Sequence, residues 1–332
     1  MRFIIYGAGG IGSVIGAELF RAGKEVALIA RGAHLAALQE GCLVYETPHG
    51  GYSLDLAAFG HPSEVSFRDD DVVILTMKSQ HTLGALEDLR AVAGDAIPVI
   101  CCQNGVANER MALRRFRNVY AMVVYLPAQF LEPGVVQTHS AKKIGILDTG
   151  RFPHGVDPLI ERVTTALEQA NFSAKADPNA MRWKYGKLIR NTRNALAALC
   201  TPSDRTREIG CLAMAEAVAC YGAAGIDHAS QEEMRQRRAH LMVHGKIKGL
   251  ERAGGSSWQS MMRGNRDIET DYLNGEIVQL GRLHGVPTPV NCALQQMANE
   301  LARSGGAAQS IPLQGLETQT DIETRASAAE AL

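Results

Sequence analysis

Residues Arg2 to Tyr6 are mostly β-branched or aromatic and alternate little, the pattern of a strand buried on both faces of a parallel sheet. Directly after them comes Gly7-Ala8-Gly9-Gly10-Ile11-Gly12, then a helical pattern through Val14, Ile15, Ala17, Glu18 and Leu19 to Gly23, then a second strand over Glu25–Ile29. Strand, G-x-G-x-x-G, helix and strand within about thirty residues leave few folds open. Gly7 permits the tight turn, Gly9 lets backbone amides approach a diphosphate, and Gly12 allows close helix-on-strand packing, with Gly10 and Ile11 completing the loop. The helix start then faces the phosphates with unpaired N–H groups and its positive dipole end. The bland alternative is a purely structural glycine turn; the surrounding elements favour a bound dinucleotide in a Rossmann-type domain.

The end of the second strand indicates which dinucleotide. An NAD enzyme places Asp or Glu there to accept from the ribose 2′-hydroxyl, whereas this chain has Ala30-Arg31. A guanidinium suits a 2′-phosphate, which points to NADP (as NADPH); the alternative is an arginine that is merely exposed. Further strands are expected at 43–45, 72–77, 99–102 and 119–125, with a helix over 82–92. Two strand ends are polar, Lys78-Ser79-Gln80 and Gln103-Asn104-Gly105. Either reads as a turn or, at the ligand-binding edge of an open α/β sheet, as part of a site.

After segments at 135–138 and 144–147 that read as the last strands, a helix over 156–170 and the Asp177-Pro178 break suggest a boundary. Beyond it the pattern is helical at 179–200, 206–224, 229–247, 267–284 and 291–303. The expected fold is therefore α/β, with a Rossmann-type domain over 1–174, an all-helical domain over 175–303 and a loosely ordered Gly, Ser, Thr, Gln and Glu-rich tail over 304–332. At roughly 100° per residue, Lys187, Asn191 and Asn194 fall within about 60° of one another on the first of these helices. Leu188, Leu196 and Leu199 cover other directions, so this stripe is either a wet face or the wall of a polar site. Gly254-Gly255-Ser256-Ser257-Trp258 reads as a flexible, hydroxyl-rich turn, and Asp267-Ile268-Glu269 as a helix start with Asp267 as N-cap and Glu269 at the positive dipole end.

Several function classes are excluded by composition. With 34 basic and 35 acidic residues the net charge is −1, which offers no general attraction to nucleic acid or to an anionic membrane. Seven scattered cysteines without ligand spacing predict neither disulfides nor a metal site. The start MRFIIYGAGG lacks the layout of a secretory signal, and no apolar run reaches membrane-spanning length, so a cytoplasmic protein is expected.

Taken together, GAGGIG at 7–12 with Arg31, Lys78 in TMKSQ, QNG at 103–105, KLIRNTRNAL at 187–196, and SSW followed by DIETDYLNG at 256–275 resemble the ketopantoate reductase (2-dehydropantoate 2-reductase) family, in that family's order. The resemblance implies that Lys187 is the catalytic lysine and Glu269 the catalytic-site glutamate. It further implies that Asn104 lies beside cofactor and substrate, that Asn191, Asn194 and Ser257 bind substrate, and that Arg31 and Lys78 contact NADP. Two departures stand out: the family spaces its helix asparagines four apart with proline following, whereas here the spacing is three and Ala195 follows. A further family asparagine falls at or near Asp204, and an acid there would repel a carboxylate substrate.

The chemistry implied is NADPH-dependent reduction of a 2-keto acid to a 2-hydroxy acid, with ketopantoate to pantoate in pantothenate biosynthesis as the leading assignment. A protonated lysine would donate to the developing alkoxide, and domain closure over a cleft would exclude water. The rivals are a reductase of another keto acid and a catalytically silent NADPH-sensing module. The expected partner is a small-molecule keto acid, with a homodimer left open.

Overall fold

The computed structural model describes residues 1–320. The chain forms two compact units, Met1–Tyr185 with Ala229–Ala253, and Gly186–His228 with the described residues from Gly254 onward. The division falls inside a helix, later than the 174/175 boundary read from Asp177-Pro178, and the chain returns to the first unit once.

The first unit contains, in order, β1 (Arg2–Tyr6), α1 (Gly10–Arg21), β2 (Glu25–Ile29), α2 (Gly32–Glu40), β3 (Leu43–Thr47), β4 (Gly50–Leu54), β5 (Ala57–Phe59) and β6 (Asp71–Leu75). There follow α3 (Thr82–Ala93), β7 (Val99–Cys101), α4 (Asn108–Leu113), β8 (Val119–Met122), β9 (Ala128–Gln129), β10 (Val135–Thr138), β11 (Thr149–Arg151) and α5 (Pro158–Gln169). Seven strands make one sheet in the order β11-β8-β7-β6-β1-β2-β5, parallel except for β11 against β8. Both faces are buried: Phe3, Ile5, Leu28 and Ile74 pack on one side, and Ile4, Ile29, Val73 and Leu75 on the other. That two-sided burial is why these strands read as unbroken apolar runs.

Register decides where ligands can go. Tyr6 lies opposite Ile29 on one side and Leu75 on the other, and Leu75 opposite Cys101, so β1, β2, β6 and β7 end level. The chain leaves β1 toward β2 in one direction and toward β6 in the other, which makes this edge the topological switch point. A second sheet, β4-β3-β10-β9, was only partly legible in the sequence: the Gly-rich β4 and two-residue β9 carry almost no periodic signal. Residues 144–147 are not a strand; Ile146 makes isolated bridges to Tyr125 and Ser173, and the last strand is β11.

The helices that follow are α6 (Ala180–Asn191), α7 (Arg193–Leu199), α8 (Asp204–Ala224), α9 (Gln231–Arg238), α10 (Ser256–Met262), α11 (Asn274–His284), α12 (Pro289–Ser304) and α13 (Leu313–Thr320). The single helix expected over 179–200 is divided at Thr192. The carbonyl of Thr192 accepts from Asn274 Nδ2 at 2.8 Å, and its hydroxyl donates to Ile189 O at 2.7 Å, so the ladder is diverted at that residue. The helix expected over 229–247 stops at Arg238, because the next residues pair with the first unit: Ala141 N donates to Val243 O and Gly245 N to His139 O. Arg237 locks the end of α9 with a two-pronged contact to Asp148. The helix expected over 267–284 is a 3-10 turn at Glu269–Tyr272 followed by α11, separated at Leu273.

The expectation of a loosely ordered tail from 304 is corrected over its described part. Gln309 and Ile311 donate backbone N–H groups to Ala198 and Leu199, Leu316 is fully buried, and Arg205 pairs with Glu317. A few well-placed apolar residues dock this segment despite its polar composition. Residues 321–332 lie outside the described residues. Among the described residues no helix is long and apolar enough to cross a membrane, and no cluster of His, Cys, Asp and Glu could hold a metal ion.

Candidate active site

The glycine loop is built by close contacts. Gly7 has φ +94°, and a Cβ there would sit 2.5 Å from the Met77 amide nitrogen, so no other residue fits. A Cβ on Gly12 would overlap Thr76 and Ile5, while Thr76 Oγ1 donates to Gly7 O at 2.9 Å and ties the loop to the end of β6. The side of Gly9 is open, its nearest neighbour being Gly7 O at 3.9 Å. Helix α1 starts at that open glycine with no side-chain cap, so its first N–H groups are left for an external acceptor. An uncapped helix start beside an open glycine fits a dinucleotide diphosphate.

Arg31 is exposed at the end of β2, where its Nη2 lies 2.9 Å from His81 Nε2 and no carboxylate pairs with it among the described residues. Nearby, burial and Asp88 push the Tyr6 hydroxyl up to about 12, with Arg31 pulling the other way. Lys78, half-buried, precedes the 3-10 turn Ser79–His81 at the end of β6. These groups line the level strand ends on the β2 and β6 sides of the switch point.

The Gln103-Asn104-Gly105 turn is held by a buried polar network that no sequence motif announced. Gln103 Nε2 donates to Thr82 Oγ1, Thr82 donates to Asn108 Oδ1 at 2.7 Å, and Asn108 Nδ2 donates to both Ser79 Oγ and Asn104 O. Gly105 supplies the positive φ of the turn. Just before it, Cys101 O accepts from Lys184 Nζ at 3.1 Å, and the same ammonium makes a very short contact with Glu109. Both partners of that ion pair are buried, at 3% and 0% exposure. The pair was missed because Lys184 and Glu109 lie far apart in sequence and in no recognisable pattern.

In the second unit α6 and α7 carry Lys187, Asn191 and Asn194. Lys187 is half-buried, Asn191 is 9% exposed, and Asn191 Nδ2 is buried with no hydrogen-bond partner. A buried amide donor without an acceptor is costly unless a ligand or water completes it, so the stripe is not an ordinary wet face. Ser257 is buried in the first turn of α10, which packs against α7. Glu269 is buried in the 3-10 turn beside α11 and α12. Asp267 does not cap that turn: its N-cap is Ile268, without a side-chain bond, and Asp267 is exposed. Asp204 is also exposed, at the start of α8, where it pairs with Arg207, so it repels nothing buried. The first unit thus holds Gly7, Gly9, Gly10, Ile11, Gly12, Arg31, Lys78 and Asn104; the second holds Lys187, Asn191, Asn194, Ser257 and Glu269.

A doubly wound sheet with an open glycine loop at its switch point, followed by helices bearing a lysine and amides, defines the class of dinucleotide-dependent oxidoreductases. Residues 3–152 match the family model for ketopantoate reductase PanE/ApbA, and residues 179–302 match that for its C-terminal part. The chain belongs to the ketopantoate reductase family. It is 27% identical to 2-dehydropantoate 2-reductase of Pyrococcus horikoshii, over 93% of this chain and all of that one. The solved structure of a PanE/ApbA family ketopantoate reductase from Ralstonia eutropha superposes with TM-score 0.76 at 27% identity, covering 92% of this chain and 99% of that one. A ternary structure of D-mandelate dehydrogenase with NADH and anilino(oxo)acetate also reaches TM-score 0.76 over the same shares, but at 21% identity, a likeness of fold alone.

Proposed function

We propose that this chain reduces the ketone of 2-dehydropantoate to pantoate with NADPH, a step of pantothenate biosynthesis. The observation that carries the reading is the buried, unpartnered Asn191 amide one turn from Lys187, in a chain whose other unit has an open, uncapped glycine loop. Relatives spanning nearly the whole chain are named for this reaction. Arg31, without a carboxylate partner among the described residues, supports a 2′-phosphate and hence NADPH over NADH.

When bound, the dinucleotide supplies a hydride to the ketone carbon. Lys187 as an ammonium donates a hydrogen bond, then a proton, to the substrate oxygen as negative charge gathers there. Glu269 orients that amine or holds a substrate hydroxyl. Asn191, Asn194 and Ser257 bind the hydroxyl and carboxylate ends, and Asn104 fixes substrate against cofactor, so that one ketone face is presented. A second reading, a different 2-keto acid, is favoured by the three-residue asparagine spacing and by Ala195 after it. Following NADPH oxidation with ketopantoate beside other 2-keto acids separates the two. Lys187→Ala is expected to lower kcat by at least about a hundredfold with NADPH binding intact; near-normal turnover would remove Lys187 from the mechanism.

A further inference from the structure

Arg252 is half-buried in the stretch Ala229–Ala253 that returns to the first unit, and its environment differs from that of several arginines that are anchored by acids. Arg2, Arg21, Arg182 and Arg237 sit against Asp71, Glu18, Glu233 and Asp148. Arg252 has one protein acceptor, the backbone carbonyl of Ala128, to which Nε donates at 3.0 Å, and no carboxylate pairs with it among the described residues. Burial pulls its guanidinium below the ordinary value, with no acid pulling it back. The neighbouring groups do not compensate: Gln129 Oε1 is taken by Ala253 N, and Glu46, reached through Gln137, is neutralised by Lys248. His139 adds no anion; burial keeps its ring toward the neutral form, and the Arg252 charge adds to that.

The carbonyl that Arg252 grips belongs to β9, and β9 lies over the glycine loop. A Cβ on Gly10 would meet Phe130 at 3.2 Å and Ala128 at 3.7 Å. The far side of this roof is tied to α1: the Phe130 and His34 rings meet at a tilt of 59° with centroids 4.7 Å apart, and His34 Nε2 lies 3.1 Å from Ser13 Oγ. A desolvated guanidinium whose Nη groups make no hydrogen bond among the described residues is therefore anchored on the strand that roofs an uncapped helix start. A desolvated cation is costly to keep unpaired, and a helix start with free N–H groups collects anions.

We propose that Arg252 is a contact for the diphosphate of the bound dinucleotide, acting from the β9 side of the glycine loop. The proposal rests on the dinucleotide reading above. A diphosphate offers the planar fork several oxygens, so two parallel hydrogen bonds fit its geometry. Arg252 and Arg31 then hold different phosphates, the first shared by NADPH and NADH, the second unique to NADPH.

The test is a fluorescence and calorimetric titration of the full chain with NADPH, NADH, ADP-ribose and adenosine 2′-monophosphate. Arg252→Ala is expected to weaken NADPH, NADH and ADP-ribose by one common factor of about tenfold or more, with Arg252→Lys between. Binding of adenosine 2′-monophosphate is expected to be unchanged, which also shows the loop to be folded; Arg31→Ala should give the reverse pattern. Unchanged dinucleotide binding in Arg252→Ala, or a raised KM for the keto acid alone, would overturn the proposal. A wild-type chain that binds none of the dinucleotides would instead overturn the reading on which it rests.

Discussion

Lys184 and Glu109 give the sharpest energetic prediction. Replacing Lys184 with Met keeps most of the side-chain volume but leaves a carboxylate at 0% exposure without its cation, and Cys101 O without its donor. Breaking a buried pair from one side costs about 3–5 kcal/mol, because the remaining charge stays desolvated. For a unit of this size each kcal/mol moves the midpoint by about 2–4 °C, so Lys184→Met should lower the first unit's transition by roughly 6–20 °C. Replacing both, Lys184→Met with Glu109→Leu, removes the stranded charge and should recover at least half of that loss, since buried pairs exchange for apolar groups at little net cost. Scanning calorimetry on wild type, both single variants and the double variant closes the cycle. A coupling below about 0.5 kcal/mol, the additivity expected of independent sites, would refute the argument that each charge is the other's counter-ion.

Other outcomes follow from the same geometry. Arg31→Ala should raise KM for NADPH by roughly tenfold or more, the worth of a charged hydrogen bond, and leave NADH nearly unaffected; equal changes would remove the 2′-phosphate from the argument. His34 is neutral in the fold, accepting Gly134 N–H at Nδ1, and burial holds its pKa below 6.5. Between 6.5 and that lowered value the unfolded chain binds a proton the folded one does not, so stability falls as pH drops through this window. His34→Gln should flatten part of that fall in thermal melts taken from about pH 7.5 to about pH 5.5; an identical slope would place the titration elsewhere, with His139 the other buried candidate.

Part of the fold around the candidate site was legible because its signals are local. The strand, glycine loop and helix of residues 2–21 are specified by neighbours a few positions apart, and Gly7 and Gly12 appear because no Cβ fits beside Met77 and Thr76. Lys187 and Asn191 share a face of α6 by helical period, whereas the division at Thr192 places Asn194 on α7, which the periodicity did not foresee. Asp267, by contrast, looked like a cap by local pattern alone and is none, because the turn begins one residue later on Ile268.

The sequence by itself determined the first strand, the glycine loop, the helix after it and the helical character of the second half, since each depends on spacing along the chain. Only the tertiary structure decided that Thr192 divides the helix, that residues 229–253 return to the first unit, that residues 309–317 dock, and that Lys184 finds Glu109 while Arg252 finds no acid among the described residues. Each of these depends on partners 75 or more residues apart, as with Lys184 and Glu109, or on the absence of one. Periodicity carries no record of such encounters: a backbone carbonyl or a buried charge takes whichever partner the packed fold brings to it.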